Sequence, residues 1–288
     1  MKCHLIHKAL GISSSLEVQD YSDKQFLKVW HYHHALELNV ILESTGTAFV
    51  GDSIERFEPG DIVLIGKNLP HLWENDKAYF EKGSRLIAKA HIIHFFENFA
   101  GGLLEIPEMV ELHHLLERAK LGIKFTGRSN GAVIKKIAML VEASGYEKIM
   151  TLIDILKILS GHRNYKVLSS IGYMNSFIGF NRDKLLPVYE YVMNNFRNEI
   201  SLDEIAKMAN MNSTSFSRYF SSIHNKPFIQ FLNEIRIGYA CKLLIDNKHI
   251  GSACYESGFN NISNFNRQFK IIKNMTPSQY VKLIANFS

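Results

Sequence analysis

Cysteine is scarce in this chain: Cys3, Cys241 and Cys254 are scattered and odd in number among 288 residues. That excludes a disulfide scaffold and fits a reducing compartment. No CxxC pair occurs, which excludes a zinc finger. Long apolar runs are also missing. Nothing approaches the ~18 consecutive apolar residues of a membrane-spanning helix. Met1-Lys2-Cys3-His4-Leu5 opens no signal-peptide segment. The expectation is a cytoplasmic protein with no membrane partner. Gly101-Gly102 precedes no Lys-Ser/Thr, so a phosphate-cradling loop is absent. A Gly-x-Ser-x-Gly nucleophile elbow is absent as well.

What is present is an ordinary globular composition, 46% hydrophobic, long enough for about two domains. Charge is unevenly placed. Residues 1–180 hold 20 Lys+Arg against 20 Asp+Glu, whereas 181–288 hold 13 against 8. The whole +5 excess therefore lies in the C-terminal third, where it suits a polyanion.

Residues 25–95 read as strands. Short apolar runs such as Leu36–Leu42, Ala48–Val50 and Ile62–Ile65 alternate with Gly, Asp and Pro turns, a pattern that predicts a sandwich or small barrel. From about 97 the period becomes helical, through Val110–Glu117, Val133–Val141 and Ile149–Leu159. His113-His114 falls on a solvated helix face. His91 and His94 fall on opposite faces of a strand. Residues 160–182 carry Gly, Ser and Asn with little periodicity and read as an interdomain linker.

The C-terminal third contains a duplication. Phe216-Ser217-Arg218-Tyr219-Phe220 recurs as Phe265-Asn266-Arg267-Gln268-Phe269, 49 residues on. Asn212 and Asn261 stand four residues before each first Phe and can cap the helix. Ser201-Leu202-Asp203-Glu204 is a capping box. Each copy reads as helix–turn–helix. Phe216, Phe220 and Ile223 turn inward in the first, Phe265, Phe269 and Ile272 in the second. Thr214, Ser217, Arg218 and Ser221 turn outward, as do Ser263, Asn266, Arg267 and Lys270. Small polar residues with one Arg per face suit a helix in the major groove. Pro227 to Asp246 reads as one helix of roughly 30 Å joining the copies. That length would set the two outward faces about one turn of duplex apart.

Residues 184–285 resemble the DNA-binding domain of the AraC family of transcription regulators. The resemblance rests on Leu202-Asp203-Glu204-Ile205-Ala206, Phe216-x-Arg218-x-Phe220, Phe231–Arg236, Gly258-Phe259, Phe265-x-Arg267-x-Phe269-Lys270 and Thr276–Tyr280. It implies seven helices and carries the DNA-reading positions onto Thr214, Ser217, Arg218, Ser263, Asn266 and Arg267. Asn225 and Asn274 replace the family's usual Gly, and Asn tolerates the left-handed turn. Ala253-Cys254 replaces the usual Ile-Ala. Ile262 makes one recognition position apolar.

The N-terminal region resembles the cupin-like sensor domains of the same family, through His31-Tyr32-His33, Glu37-Leu38, Gly46-Thr47, Val50-Gly51-Asp52, Pro59–Gly66 and Leu69-Pro70-His71-x-Trp73. His31-x-His33-x-x-x-Glu37 followed by His71 has the ligand order of metal cupins, in which two His and a Glu from one strand meet a His from another. The reading adopted assigns no metal and no cofactor. Instead His31, His33, Glu37, His71 and Trp73 line a pocket for a small polar effector such as a sugar.

The expected fold is therefore α+β: a cupin-like β-barrel over 1–100, dimerisation helices and linker over 101–181, and an all-α domain with two helix–turn–helix units over 182–288. The expected function is an effector-responsive activator, not an enzyme, acting as a homodimer on double-stranded DNA and contacting RNA polymerase. A metal-dependent cupin isomerase or dioxygenase with an added helical domain is the alternative. The apolar surplus of Val133, Ile134, Ile137, Leu140 and Val141 carries the dimer expectation.

Overall fold

The computed structural model describes residues 3–6, 14–127, 130–178 and 182–285. The chain divides into two compact units. One comprises Cys3–Gly51 and Arg56–Ser170; the other is built on Ile171–Ser288.

The first unit contains two sheets. In the six-stranded sheet the order is β11 (Tyr165–Val167), β10 (Ile123–Phe125), β7 (Ile62–Ile65), β4 (Leu36–Glu43), β9 (Ala88–Phe95) and β2 (Leu16–Asp23). In the five-stranded sheet it is β1 (His4–Leu5), β3 (His31–Tyr32), β8 (His71–Asn75), β5 (Gly46–Val50) and β6 (Ser53–Phe57). Among the described residues the sheets share no ladder. The expected closed barrel is not formed, because neither pair of outer strands is hydrogen-bonded across to the other sheet.

Strand β4 explains how this unit is layered. Its sequence alternates Leu36, Leu38 and Val40 with Glu37, Asn39 and Ile41, and successive side chains point to opposite faces. The first set joins Ile93 and Phe95 in a core against three helices, α1 (Val110–Ala119), α2 (Asn130–Glu142) and α3 (Gly145–Ser160). The second set, with Ile92 and His94, faces a cavity of about 530 Å³. Both faces are covered, so Leu36 through Ile41 are all buried.

Several expectations change here. Strands begin before residue 25, with β1 and β2. Strands β10 and β11 lie within the stretch expected to be helical and linker, and they extend the six-stranded sheet. The helices share one continuous core with that sheet, so no structural boundary falls at 100. Val133, Ile137 and Leu140 are wholly buried in that core and Ile134 packs against it. The apolar surplus expected to pair two protomers is thus largely used inside one chain. Within α1 to α3 the apolar residues left most open are Tyr146 (77% exposed), Met139 (62%) and Met150 (51%), on α2 and α3.

From Ile171 on, the described residues of the second unit form the helices α4 (Ile171–Ile178), α5 (Arg182–Asn195), α6 (Leu202–Met208), α7 (Ser213–His224), α8 (Phe228–Ile245), α9 (Ile250–Glu256), α10 (Ile262–Lys273) and α11 (Pro277–Ala285). Helices α5 to α11 are the seven that the family resemblance implied. Helix α8 is the long connector, 18 residues or about 27 Å. Its residues are buried on several sides, including Arg236. That guanidinium donates from Nε to the Phe196 carbonyl (2.7 Å) and from Nη2 to the Asn198 carbonyl (2.8 Å), tying α8 to the chain after α5. No helix among the described residues is long and apolar enough to cross a membrane.

Helix α4 occupies part of the stretch read as linker, whose residues 179–181 lie outside the described residues. Gly172 explains the weak sequence signal. A Cβ there would sit 2.6 Å from the Ile223 carbonyl oxygen and 2.7 Å from the His224 Cα, so glycine permits α4 to touch the α7 backbone. Beside it, the buried Tyr173 ring packs against Tyr189 at 4.8 Å. The substitution Gly172→Ala separates two outcomes by sign. In a solvated helix it stabilises by about 1 kcal/mol. Against α7 it overpacks and should cost ~1–3 kcal/mol. We expect the melting temperature to fall; a rise would show that α4 is not seated on α7.

Candidate functional sites

In the second unit the two helix–turn–helix copies are built alike. Helix α6 starts at Ser201, whose hydroxyl accepts from the Glu204 amide (3.1 Å). Helix α7 is capped by Asn212, accepting from the Ser215 amide (2.8 Å). Helix α10 is capped by Asn261, accepting from the Asn264 amide (2.7 Å). Each cap satisfies an otherwise orphaned amide, worth about 1 kcal/mol. Helices α7 and α10 both end on a left-handed asparagine, Asn225 (φ 54°) and Asn274 (φ 56°), as the missing glycines required.

Phe216, Phe220, Phe265 and Phe269 are completely buried. On the opposite faces, Thr214 and Arg218 are exposed, with Ser217 and Ser221 half-buried. Ser263, Asn266, Arg267 and Lys270 are all exposed. Arg267 donates from Nη2 to Asn264 Oδ1 (3.0 Å), which limits the directions its guanidinium can take. Ala253 and Cys254 are fully buried, so that departure from the family pattern leaves the second unit's core filled. Ile262 is 37% exposed and adds an apolar spot to the α10 surface.

Two inward positions differ from expectation. Ile223 and Ile272 are only partly buried. In the first copy His224 takes the inner place, stacked on Phe220 at 4.1 Å and 11°. Its Nε2 accepts from the Tyr189 hydroxyl (2.6 Å), fixing α5 to α7. A histidine in the last turn of a polar helix gives no sequence sign of this role.

In the first unit the five residues expected to line an effector pocket lie near one another. His31, His33, Glu37, His71 and Trp73 are all buried. They do not arise from one strand plus another, as the metal-cupin ligand order suggested. His31 lies in β3, His33 in the following connection, Glu37 in β4, and His71 and Trp73 in β8. Register brings them together: His31 lies directly opposite His71, and their rings are 4.3 Å apart. Residues 71 and 73 share one face of β8 by the two-residue period.

Two members were not foreseen. His94 lies directly opposite Glu37 across the β4–β9 ladder, and its Nε2 donates to Glu37 Oε2 (2.9 Å). Asn39 donates from Nδ2 to Glu37 Oε1 (2.5 Å). His91, on the other face of β9, instead pairs with Asp20 (3.2 Å). The separation of His91 from His94 by strand parity therefore agrees with the structure, but His94 joins the cluster. The available signal was the alternation Leu36-Glu37-Leu38-Asn39, which places two polar side chains on one strand face.

His33 Nε2 lies 2.9 Å and His71 Nε2 3.5 Å from the same Glu37 oxygen. Burial opposes the Glu37 charge. The neighbouring His71, His33 and His94 outweigh it and hold the carboxyl well below its usual range. Burial pushes His31 down to about 3, and the nearby His71 adds to the shift. Trp73 packs edge-on against Phe26 and Phe57, and its buried indole N–H has no hydrogen-bond partner among the described residues.

Comparison with known proteins bears on the second unit. Residues 205–283 match the family described as a helix-turn-helix domain. The C-terminal unit is an AraC-type helix–turn–helix domain. An uncharacterised HTH-type transcriptional regulator from the cgkA 5′ region of Pseudoalteromonas carrageenovora is 31% identical over 96 residues, 33% of this chain and 57% of that protein. Another, from Staphylococcus aureus, is 31% identical over 101 residues, 35% of this chain and 14% of that protein. The chain thus spans about half the length of one curated relative and a small part of the other. Among solved structures, the DNA-binding domain of AdpA in complex with a target DNA covers 35% of this chain and 92% of its own, at 20% identity and TM-score 0.33. ToxT from Vibrio cholerae covers 93% and 97%, at 14% identity and TM-score 0.36.

His224 makes the AraC-type domain sensitive to acid. Burial lowers its pKa to about 4, whereas in the unfolded chain it titrates near 6.5. The folded state therefore binds fewer protons through the window between these values. Stability is fully present above about 6.5 and is lost as pH falls towards 4. From pH 7 to pH 5 this one group should remove about 2 kcal/mol. Urea unfolding at both pH values should show a smaller loss in His224→Gln than in wild type. Equal losses would mean that His224 protonates as readily folded as unfolded.

Proposed function

We propose that this protein is a DNA-binding transcription regulator whose N-terminal unit senses a small polar effector. The observation that carries the reading is the duplicated surface of the AraC-type domain. Two helices have the same asparagine caps and phenylalanine anchors, and each presents an Arg flanked by small polar residues. On a merely solvated surface nothing requires both copies to keep that division. Thr214, Ser217, Arg218 and Ser221 form one reading face, and Ser263, Asn266, Arg267 and Lys270 the other. They take adjacent major-groove segments of double-stranded DNA. Activation through RNA polymerase and residence in the cytoplasm go with this reading. The enzyme alternative gives the duplicated face no task.

The effector pocket is the cavity lined by His31, Glu37 and Trp73, with His33 and His71 in contact with Glu37 rather than with the cavity itself. An unpaired buried N–H is costly, and a hydroxyl-bearing ligand such as a sugar would satisfy Trp73 while stacking on its ring. A homodimer through α2 and α3 is retained in the proposal, resting now on exposed Met139, Tyr146 and Met150.

Site selection from random duplex DNA followed by footprinting tests the reading. It should give two protected blocks about one helical turn apart. Arg218→Ala and Arg267→Ala should each cost ~1–3 kcal/mol and relax preference at one base pair in different blocks. Unchanged affinity for the selected site in both variants would remove α7 and α10 from the groove. For the dimer, sedimentation of Tyr146→Glu should show a monomer where wild type is dimeric. A variant that remains dimeric would place the contact elsewhere.

A further inference from the structure

A groove of about 570 Å³ opens in the AraC-type domain beside α10. Its walls come from the chain between α5 and α6, the first half of α8, the end of α9 with its following turn, and α10. Three arginines line it, Arg197, Arg236 and Arg267, against one acid, the exposed Glu199.

Two buried groups in this groove lack something. Arg236 is 9% exposed, and among the described residues no carboxylate pairs with it. Its bonds to the Phe196 and Asn198 carbonyls fix the guanidinium plane, but they do not cancel its charge, and neither uses Nη1. A buried cation without a counter-ion is costly. Asn233, one turn earlier on α8, is 6% exposed, and its side-chain amide is hydrogen-bonded to no described residue. A buried amide without a partner is costly as well. An anion accepting from both would relieve both penalties. Arg197 adds a third cation, with its guanidinium 5.7 Å from the Tyr239 ring.

Position selects the anion. Arg267 belongs both to the groove and to the outward face of α10, so the two surfaces are continuous. Helix α8, which joins the two copies, forms one wall. A duplex read in successive major-groove segments must carry its backbone past the surface between the readers. A phosphate oxygen accepts from arginine and asparagine donors alike.

We propose that Arg197, Asn233 and Arg236 clamp one backbone phosphate of the DNA strand that passes between the two reading faces. The contact reads no base. It fixes where the duplex lies between α7 and α10. The inference rests on the DNA-binding reading and adds a third contact region to it.

The full chain is tested in two ways. Without DNA, Asn233→Asp supplies a carboxylate inside the groove, one turn from Arg236. It should find a counter-ion there, so the melting temperature should hold or rise, whereas an added buried charge without one lowers it. The same variant should bind duplex more weakly, because its carboxylate takes the place of the phosphate. A lowered melting temperature overturns the anion site. With DNA, the selected duplex is sparsely ethylated at its phosphates and fractionated by binding. Wild type should reject duplexes ethylated between the two protected blocks. Arg197→Gln should lose that rejection and weaken binding about equally on selected and random duplex. Its slope of log affinity against log salt should be smaller by about 1. Arg197→Lys should keep the wild-type slope. So should Lys82→Gln, which removes an exposed charge from the first unit. Two protected blocks without interference between them overturn the phosphate assignment alone. So does an Arg197→Gln protein that keeps both the interference and the slope. Absence of two blocks removes the DNA reading and the phosphate assignment with it, while Asn233→Asp still decides whether the groove favours an anion.

Discussion

A carboxylate held away from water sets the terms for the N-terminal unit. Removing an ion such as Glu37 from water carries a penalty of several kcal/mol unless its lone pairs are satisfied. Its partners come from separate parts of the chain: Asn39 on its own strand, His94 on β9, His33 in the connection between β3 and β4, and His71 on β8. That requirement fixes more than the site. Strand β9 must lie against β4 with 94 opposite 37, and β3 against β8 with 31 opposite 71. A one-residue slip of β4 would turn Glu37 and Asn39 into the helix-facing core and Leu36 and Leu38 into the cavity. The apolar alternation and the polar cluster thus specify the same register, one by what it buries and the other by what it must satisfy.

The AraC-type domain depends on a different device. Helices α7 and α10 are short, 12 residues each, and too polar to hold themselves in place. Phenylalanine pairs four residues apart anchor each to α8 and its neighbours. In the first copy the anchor extends to His224, which reaches Tyr189 and stacks on Phe220. In the second copy Tyr280 of α11 closes over Phe269 at 5.6 Å. The phenylalanines agree between the copies, the groups packed on them differ, and on the exposed faces the arginine alone is identical, at Arg218 and Arg267.

Much of this was legible in the sequence, and the exceptions share a cause. The duplication, the caps at Ser201, Asn212 and Asn261, the left-handed Asn225 and Asn274, and the long helix α8 are set by local chemistry, and the structure agrees with each. His94 was assigned correctly to its face but not to its partners, because a cross-strand neighbour depends on pairing rather than on spacing. Strands β10 and β11 are three residues each, below the length at which a two-residue period can be recognised. Helix α4 looked like linker because glycine, the residue that lets it pack on α7, is also the residue that marks loops. Turn spacing predicted a sandwich or a small barrel and the cupin resemblance selected the barrel; neither says whether the outer strands meet.

The asparagines show how local chemistry can serve a global end. Every described non-glycine residue with positive φ is asparagine: Asn68, Asn210, Asn225, Asn247 and Asn274. Four of the five lie in the AraC-type domain, two of them immediately after α7 and α10. Glycine would adopt these turns without strain, but it leaves the unfolded chain more freedom to lose. Asparagine accepts the left-handed conformation at modest cost and restricts the unfolded chain more. At the ends of short helices of marginal intrinsic stability, that difference favours the folded turn. The same turns set where α7 and α10 stop and where α8 and α11 begin. Helix–helix geometry in the domain, and with it the direction of both polar faces, therefore rests on residues that touch neither face.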